Sequence, residues 1–142
     1  MIFLGGTIGA NTWRTDIIIP ALIARGVAED ALFNPVVEHW NKQAMENEDA
    51  AKHTADYLLY VLASPDPHGH TANVSAYSIV EATMHLYDAP ERTVVVFDTM
   101  GMAKHTTKAM TKAMSDLRQR FPNAPIFDNY DDAIEYLASK LI

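Results

Sequence analysis

The sequence predicts an α/β fold in which a parallel sheet is covered by helices on both faces. Two observations lead to this prediction. Short apolar runs, of which 56–63 and 92–98 are the clearest, have the length and composition of strands buried on both faces. Segments with helical spacing alternate with these runs, and strand–helix–strand units form right-handed crossovers between parallel strands.

The composition is that of one globular domain spanning residues 1–142. Hydrophobic residues make up 49% of the chain, which is enough for a substantial core. The net charge of −7 argues against a partner that is a nucleic acid polymer. The absence of cysteine excludes disulfides and a cysteine nucleophile and favours a cytoplasmic protein. No apolar run approaches the roughly 20 residues of a membrane span, so we expect no membrane partner.

The first elements are a strand, a helix and a second strand. Residues 1–4 form an apolar run that a Gly-Gly pair ends, as expected for a buried strand and a turn. Residues 13–26 have helical spacing, and Pro20 either kinks this helix or belongs to a late first turn. Residues 31–37 contain a brief second strand, which is broken at Pro35.

In the middle of the chain, the sequence predicts two helices that alternate with two strands. Residues 38–55 form a polar helix with few apolar anchors, and 56–63 is an apolar strand. A loop over 64–73 leads to a helix at 73–87, on which we expect a buried apolar stripe. The residues of this stripe are Ala76, Ile79, Val80, Thr83 and Tyr87. The run at 92–98 is the fourth strand.

The carboxy-terminal part predicts a helix at 103–121, a short fifth strand at 124–129 and a closing helix at 130–142. Five strands and five helices fit a flavodoxin-like doubly wound three-layer sandwich with a five-stranded parallel sheet. In such folds ligands bind in a crevice at the carboxyl ends of the strands. The loops after the first four strands should therefore converge on the functional site.

Several polar residues are candidates for that site. Glu81 lies beside the apolar stripe of its helix and is either a solvated glutamate or aimed at the crevice. Ser75 is a plausible N-cap, and Ser78 either fills the first turn or points into the crevice. Asp56 begins a strand, which would place it at the edge opposite to the crevice.

The loop at 5–14, GGTIGANTWR, either contacts a ligand or simply makes a tight turn between strand and helix. It has neither the Walker lysine nor GxGxxG spacing, and Arg14 is its nearest cation. Trp40 either packs in the core or stacks on an aromatic ligand. His68 and His70 fit a solvated loop better than a metal site, because no cysteine and no following acidic residue completes a ligand set.

Four segments, in their order and spacing, resemble the nucleoside 2-deoxyribosyltransferase family, most strongly its short phage- and bacteria-type branch. They are IFLGGTIGANTWR, LFNPVVEHWN, ENEDAAKHTADYLLYVL and SAYSIVEA. The resemblance covers residues 2 to about 97. It implies a flavodoxin-like fold, dimers or larger oligomers, a place in nucleotide salvage, and chemistry that needs no metal or redox cofactor.

The resemblance also implies a reaction. Family members cleave the N-glycosidic bond of a deoxynucleoside or nucleoside monophosphate and pass the sugar to another base, or to water in hydrolase relatives. Glu81 matches the family nucleophile, and Asp56 matches the assisting aspartate. A carboxylate can attack the anomeric carbon and hold the sugar covalently, as in retaining glycosidases. The residues matched to the pocket and the base side are Gly5, Gly6, Thr7, Asn34 and Trp40.

Three functions stay open. The first is the transferase, with a nucleoside or nucleotide substrate and a free base as its partners. The second is a nucleoside 5′-monophosphate N-glycosidase, in which Ser75, Ser78 and the start of their helix would hold the phosphate. The third is a non-catalytic nucleotide-binding module, against which the presence of both Glu81 and Asp56 argues.

We also expect a homo-oligomer. The outer helices are predicted to carry more apolar side chains than one small sandwich needs, and the family pairs its subunits near the active site. The residues concerned are Met84, Tyr87, Met110 and Met114.

Overall fold

The computed structural model describes residues 1–141 and is built on a five-stranded sheet. The strands are β1 (Ile2–Gly6), β2 (Leu32–Phe33), β3 (Tyr57–Leu62), β4 (Thr93–Phe97) and β5 (Ile126–Phe127). All pairings are parallel, and the strand order is β2-β1-β3-β4-β5. The predicted parallel α/β fold is confirmed.

Five helices connect or follow the strands. They are α1 (Ile19–Ala24), α2 (Lys42–Thr54), α3 (Ala76–Asp88), α4 (Lys104–Arg120) and α5 (Tyr130–Leu141). Helices α1 and α5 pack on one face of the sheet, and α2, α3 and α4 pack on the other, which makes three layers. None of the helices within residues 1–141 is long and apolar enough to cross a bilayer. The predicted end of the last helix, residue 142, lies outside the described residues.

Strand β3 is apolar throughout because its side chains pack in two hydrophobic cores, one on each face of the sheet. Successive side chains of a strand point to opposite faces. Leu59 and Val61 belong to the core beneath α1 and α5, while Leu58, Tyr60 and Leu62 belong to the core beneath α2, α3 and α4. Each of these side chains is fully or almost fully buried, which explains why the strand pattern has no polar alternation.

The helix predicted from residue 38 begins later, at Lys42. Asn41 is its N-cap, because the side chain of Asn41 accepts a hydrogen bond of 2.8 Å from the backbone N–H of Ala44. The segment 34–41 before it is irregular. Because α2 begins later than predicted, the segment 34–41 lies at the carboxyl edge of the sheet.

Pro20 resolves as a first-turn residue. A π-helical turn at Arg14–Ile18 precedes α1, and Pro20 then occupies the first turn of α1 itself. The backbone stays helical through this junction, because Ile18 and Ile19 have helical φ and ψ and the N–H of Ile19 donates to the carbonyl of Arg14. The missing N–H of Pro20 therefore falls where the π-helical turn changes to the α-helix.

Gly6 allows the start of the first loop to lie in close contact with β3. Its φ of +116° is in the region that favours glycine, and an added Cβ would lie 2.2 Å from the carbonyl oxygen of Val61. The backbone N–H of Thr7 donates to that same oxygen at 2.9 Å, and the Thr7 hydroxyl donates to the carbonyl of Ala63 at 2.9 Å. The start of the loop is therefore tied to the neighbouring strand.

The four apolar residues predicted on outer helices divide into two pairs. Met84 and Tyr87 on α3 are exposed. Val80 is exposed as well, so the prediction that Val80 and Tyr87 lie on a buried stripe was wrong. The buried residues of α3 are Ser78, Ala82 and Leu86. Met110 is buried and Met114 packs against the same core, so the prediction of outward methionines on α4 was wrong. The helical spacing on α4 describes the side that faces the sheet.

Candidate active site

A cavity of about 860 Å³ opens at the carboxyl end of β1, between α2 and α3. This is the edge at which doubly wound folds bind ligands. The end of β1, the segment at 35–40, one face of α2 and the first turns of α3 all contribute to its lining. Seven of the predicted site residues meet there: Gly5, Gly6, Arg14, Trp40, Ser75, Ser78 and Glu81.

Glu81 is aimed at the cavity and is not a solvated glutamate. Its side chain is only 13% exposed and lines the cavity from the second turn of α3. The ammonium of Lys52 on α2 donates a hydrogen bond to Glu81 Oε2. Within residues 1–141, Glu81 Oε1 has no hydrogen-bond partner, so this oxygen is available to a ligand.

Lys52 joins two carboxylates. Besides its bond to Glu81, its Nζ lies 2.9 Å from Oε1 of Glu48, one helical turn earlier on α2. Burial of the ammonium opposes its charged form, but hydrogen bonds to Glu81 and Glu48 and their negative charges outweigh that effect and raise the pKa of Lys52. Lys52 is therefore held as a cation between the two helices.

The face of α2 that lines the cavity was missed by the sequence analysis. It consists of Met45, Glu48, Asp49 and Lys52. These residues follow the i, i+3, i+4, i+7 spacing of one helical face, and this signal was present in a helix read only as polar. The opposite charges of Glu48 and Lys52, four residues apart, also indicated that these two side chains lie on one face of the helix.

Arg14 reaches the cavity but its donors are engaged by the backbone. Its guanidinium donates to the carbonyls of Leu4 at 2.9 Å, Thr7 at 2.9 Å and Gly6 at 3.1 Å. Burial lowers the pKa of Arg14 to about 10, although the charge of Glu48 opposes this shift. The side chain thus fixes the first loop, and ligand contact is secondary in this arrangement.

The amino end of α3 faces the cavity. The Ser75 side chain caps the helix by accepting a hydrogen bond from the backbone N–H of Ser78 at 3.3 Å, as the N-cap prediction stated. The Ser75 hydroxyl also donates to the Ser78 hydroxyl at 2.7 Å. Ser78 is nearly buried and lines the cavity, which agrees with the crevice-facing alternative.

One part of the cavity lining is apolar and exposed. Val36, Val37 and Trp40 form it, and all three are substantially exposed in this structure. Trp40 is 59% exposed and does not belong to either core. Of its two predicted roles, the ligand-facing one fits this position. The cavity therefore joins an apolar mouth to a charged interior.

Three predicted site residues are not brought to the cavity. Asp56 lies before β3, at the opposite edge of the sheet, where it pairs with the N-terminal ammonium of Met1 and its side chain is 64% exposed. The Asn34 side chain accepts a hydrogen bond from the N–H of Val36 at 3.0 Å and shapes the turn there. Thr7 is buried between β1 and β3. The parallel order of the strands explains the position of Asp56, since all strands begin at that edge.

Comparison with known proteins adds one finding. A family model described as "Nucleoside 2-deoxyribosyltransferase like" matches residues 1–100 of this chain. These residues include β1 to β4, α1 to α3 and the whole lining of the cavity. No curated protein and no solved structure matched.

Proposed function

Because the chain belongs to the nucleoside 2-deoxyribosyltransferase-like family, we propose that it cleaves the N-glycosidic bond of a deoxynucleoside and transfers the sugar to an acceptor base. Membership of the family supports a glycosyl-transfer or glycosidase role. The observation that carries the more specific proposal is Glu81, a largely buried carboxylate that lines the cavity and has one oxygen without a hydrogen-bond partner among residues 1–141.

The reaction has two steps. In the first, Glu81 Oε1 attacks C1′ while the bond between C1′ and the base nitrogen breaks, and the departing base takes the electron pair of that bond and a proton from solvent. In the second, a nitrogen of the acceptor base attacks C1′, the ester bond to Glu81 breaks, and the acceptor loses its proton to solvent. Two displacements retain the configuration at C1′, as in retaining glycosidases.

Glu48 and Asp49 are the assisting carboxylates in this proposal. Both line the cavity on α2, opposite the helix that carries Glu81. Carboxylates accept hydrogen bonds, so they suit the hydroxyl groups of a sugar. We assign this role to them in place of Asp56, whose position at the other edge of the sheet argues against direct participation.

The apolar mouth suits the base. Val36, Val37 and Trp40 offer a surface on which a planar heterocycle can pack, and an indole ring stacks favourably on bases. With the base held there, C1′ points toward the charged interior that contains Glu81. We propose that the same surface receives the acceptor base in the second step.

An unphosphorylated nucleoside is the better substrate for this cavity. Its lining includes the carboxylates Glu48, Asp49 and Glu81, which repel a phosphate dianion. The ammonium of Lys52 is already paired with two of them, and the guanidinium of Arg14 binds backbone carbonyls.

A nucleoside 5′-monophosphate N-glycosidase is the second candidate. The observation that favours it is the amino end of α3, whose backbone N–H groups and Ser75 lie at the cavity and could receive a phosphate. In that enzyme water replaces the acceptor base in the second step.

The test is a panel of deoxynucleosides and their 5′-monophosphates, incubated with and without a free acceptor base and followed by chromatography. A new nucleoside supports transfer. Free sugar or sugar phosphate supports hydrolysis. No turnover of any substrate, combined with measurable binding, supports a non-catalytic module and contradicts the proposal.

Glu81→Ala is the decisive variant. We expect it to lose cleavage by several orders of magnitude while it stays folded, because the nucleophile is gone. Glu135→Ala is the matched control, since Glu135 pairs with Arg25 on the other face of the sheet. Brief exposure of the wild type to a slow 2-fluoro-arabino nucleoside should give a sugar adduct on the peptide containing Glu81. Normal turnover by Glu81→Ala, or an adduct elsewhere, would contradict the assignment.

A further inference from the structure

We propose that Lys52 is a positioning residue for Glu81 and that its charge promotes release of the sugar from the covalent intermediate. This inference rests on the proposed function, because it requires a sugar ester on Glu81. Its basis is the bridge that Lys52 makes from α2 to Oε2 of Glu81 on α3, together with the second contact to Glu48.

The bridge orients the nucleophile. Lys52 binds Oε2 of Glu81, and Oε1 makes no hydrogen bond within residues 1–141, so Oε1 stays available at the cavity. The side chains of Lys52 and Glu81 are only 14% and 13% exposed, so water screens this pair poorly. The ammonium also lies 5.4 Å from the centroid of the Phe3 ring, which limits its movement. The contact with Lys52 restricts the rotation of the Glu81 carboxylate.

The charge of Lys52 acts differently on the two steps. Glu81 loses its negative charge when the ester forms, and the attraction of Lys52 for the free carboxylate opposes this step. When the acceptor attacks C1′ and the ester bond breaks, the electron pair returns to Glu81 as a carboxylate, which Lys52 stabilises. Lys52 therefore destabilises the sugar ester relative to free enzyme and shortens its lifetime.

Glu48 makes this role possible. A buried ammonium that loses its only counterion is strongly destabilising. While Glu81 carries the sugar, Lys52 keeps its contact of 2.9 Å with Glu48, so it stays charged and in place. The lysine needs two carboxylates because one of them is consumed and regenerated in each cycle.

The experiment measures the lifetime of the intermediate. The protein is loaded with sugar from the slow 2-fluoro-arabino nucleoside, excess reagent is removed, and an acceptor base is added. Intact-protein mass spectrometry then follows the loss of the adduct. The variants are Lys52→Met, which keeps the length of the side chain without the charge, and Lys52→Gln, which keeps a hydrogen-bond donor. The control is Lys112→Met, because Lys112 also pairs with a carboxylate one turn away, at 2.9 Å, but lies exposed on α4.

We expect the adduct of Lys52→Met to decay about a hundredfold more slowly than that of the wild type, the usual effect of removing one charge-stabilising donor. Lys112→Met should decay at the wild-type rate. The adduct of Lys52→Gln should also decay slowly, and this variant provides the test if Lys52→Met does not fold. Wild-type decay in a folded Lys52 variant would overturn the proposal while the covalent route stands. Failure of both variants to fold would also overturn it, in favour of a purely structural lysine. If the wild type cleaves nucleosides without any adduct, the covalent route fails as well.

Discussion

The hydroxyl of Tyr60 lies 3.1 Å from Nδ1 of His85, in the core behind the active-site cavity. Tyr60 is fully buried on β3, and His85 follows Glu81 by one helical turn on α3. Burial lowers the pKa of His85, and the positive charges of Arg92 and Lys52 act in the same direction, against a smaller opposing effect of Asp88. His85 is thus a neutral partner of a buried tyrosine, one helical turn from Glu81.

This pair makes the stability of the protein depend on pH. Because the pKa of His85 is lower in the folded state, unfolding takes up a proton as the pH falls below the ordinary histidine value of 6.5. The free energy of unfolding should decrease as the pH falls from 7 to 5. Urea denaturation across this range should show a smaller decrease for His85→Gln, which keeps a hydrogen-bonding partner for Tyr60. An identical decrease in both proteins would contradict this role of His85.

Asp56→Asn should leave base exchange within about twofold of the wild-type rate, because Asp56 does not reach the cavity. The hydrogen bond from the N-terminal ammonium of Met1, and its charge, lower the pKa of Asp56. The carboxylate therefore adds a little stability at neutral pH, which is lost in acid as it becomes protonated. An exposed ion pair of this kind is worth at most about 1 kcal/mol. A large loss of activity in a folded variant would restore the assisting role that the family resemblance implies.

Gly6→Ala should destabilise the protein by at least about 2 kcal/mol. The backbone there has a positive φ, and the added Cβ would collide with the carbonyl of Val61, which cannot move without disturbing β3. Chemical denaturation measures the effect. Gly69→Ala is the control, since its Cβ would meet only the flexible side chain of Asp66. Equal stability losses in the two variants would show that the close approach at Gly6 is unimportant.

Trp40→Ala should raise KM about tenfold with little change in kcat, because base stacking contributes about 1–3 kcal/mol and is present before and during the reaction. The side chain is exposed and outside both cores, so stability should change by less than about 0.5 kcal/mol. Steady-state kinetics with the best substrate of the panel tests this. An unchanged KM would remove Trp40 from the base site.

The outer face of α3 should mediate self-association. Tyr77, Val80, Met84 and Tyr87 recur at helical spacing on this face, and all are exposed. We expect a homo-oligomer by light scattering at micromolar concentration, and Met84→Glu should dissociate it. Gln119→Glu on α4 is the control and should leave the oligomer intact. A wild-type monomer under these conditions would contradict the prediction.

The sequence by itself determined the sheet and its layers. Continuous apolar runs such as β3 and β4 require burial on both faces, and their alternation with helical segments allows few topologies, so the fold followed from local patterns. Glu81 was named from the resemblance of the segment SAYSIVEA to the family, because the pattern of its helix alone left a solvated glutamate open. The topology added only that this helix begins at the carboxyl edge of the sheet.

Only the tertiary structure decided which side chains meet Glu81. Lys52 lies 29 residues earlier on another helix, and no local pattern fixes the rotation of α2 about its axis. Ala51 is the buried residue of α2 and packs in the core, and Glu48, Asp49 and Lys52 on the neighbouring side line the cavity. Asp56 is the converse case: its sequence neighbours resemble a catalytic segment, yet the parallel direction of β3 puts it at the far edge. Contacts between distant segments depend on packing of the whole core, and this is why the charged interior of the site could not be predicted from the sequence.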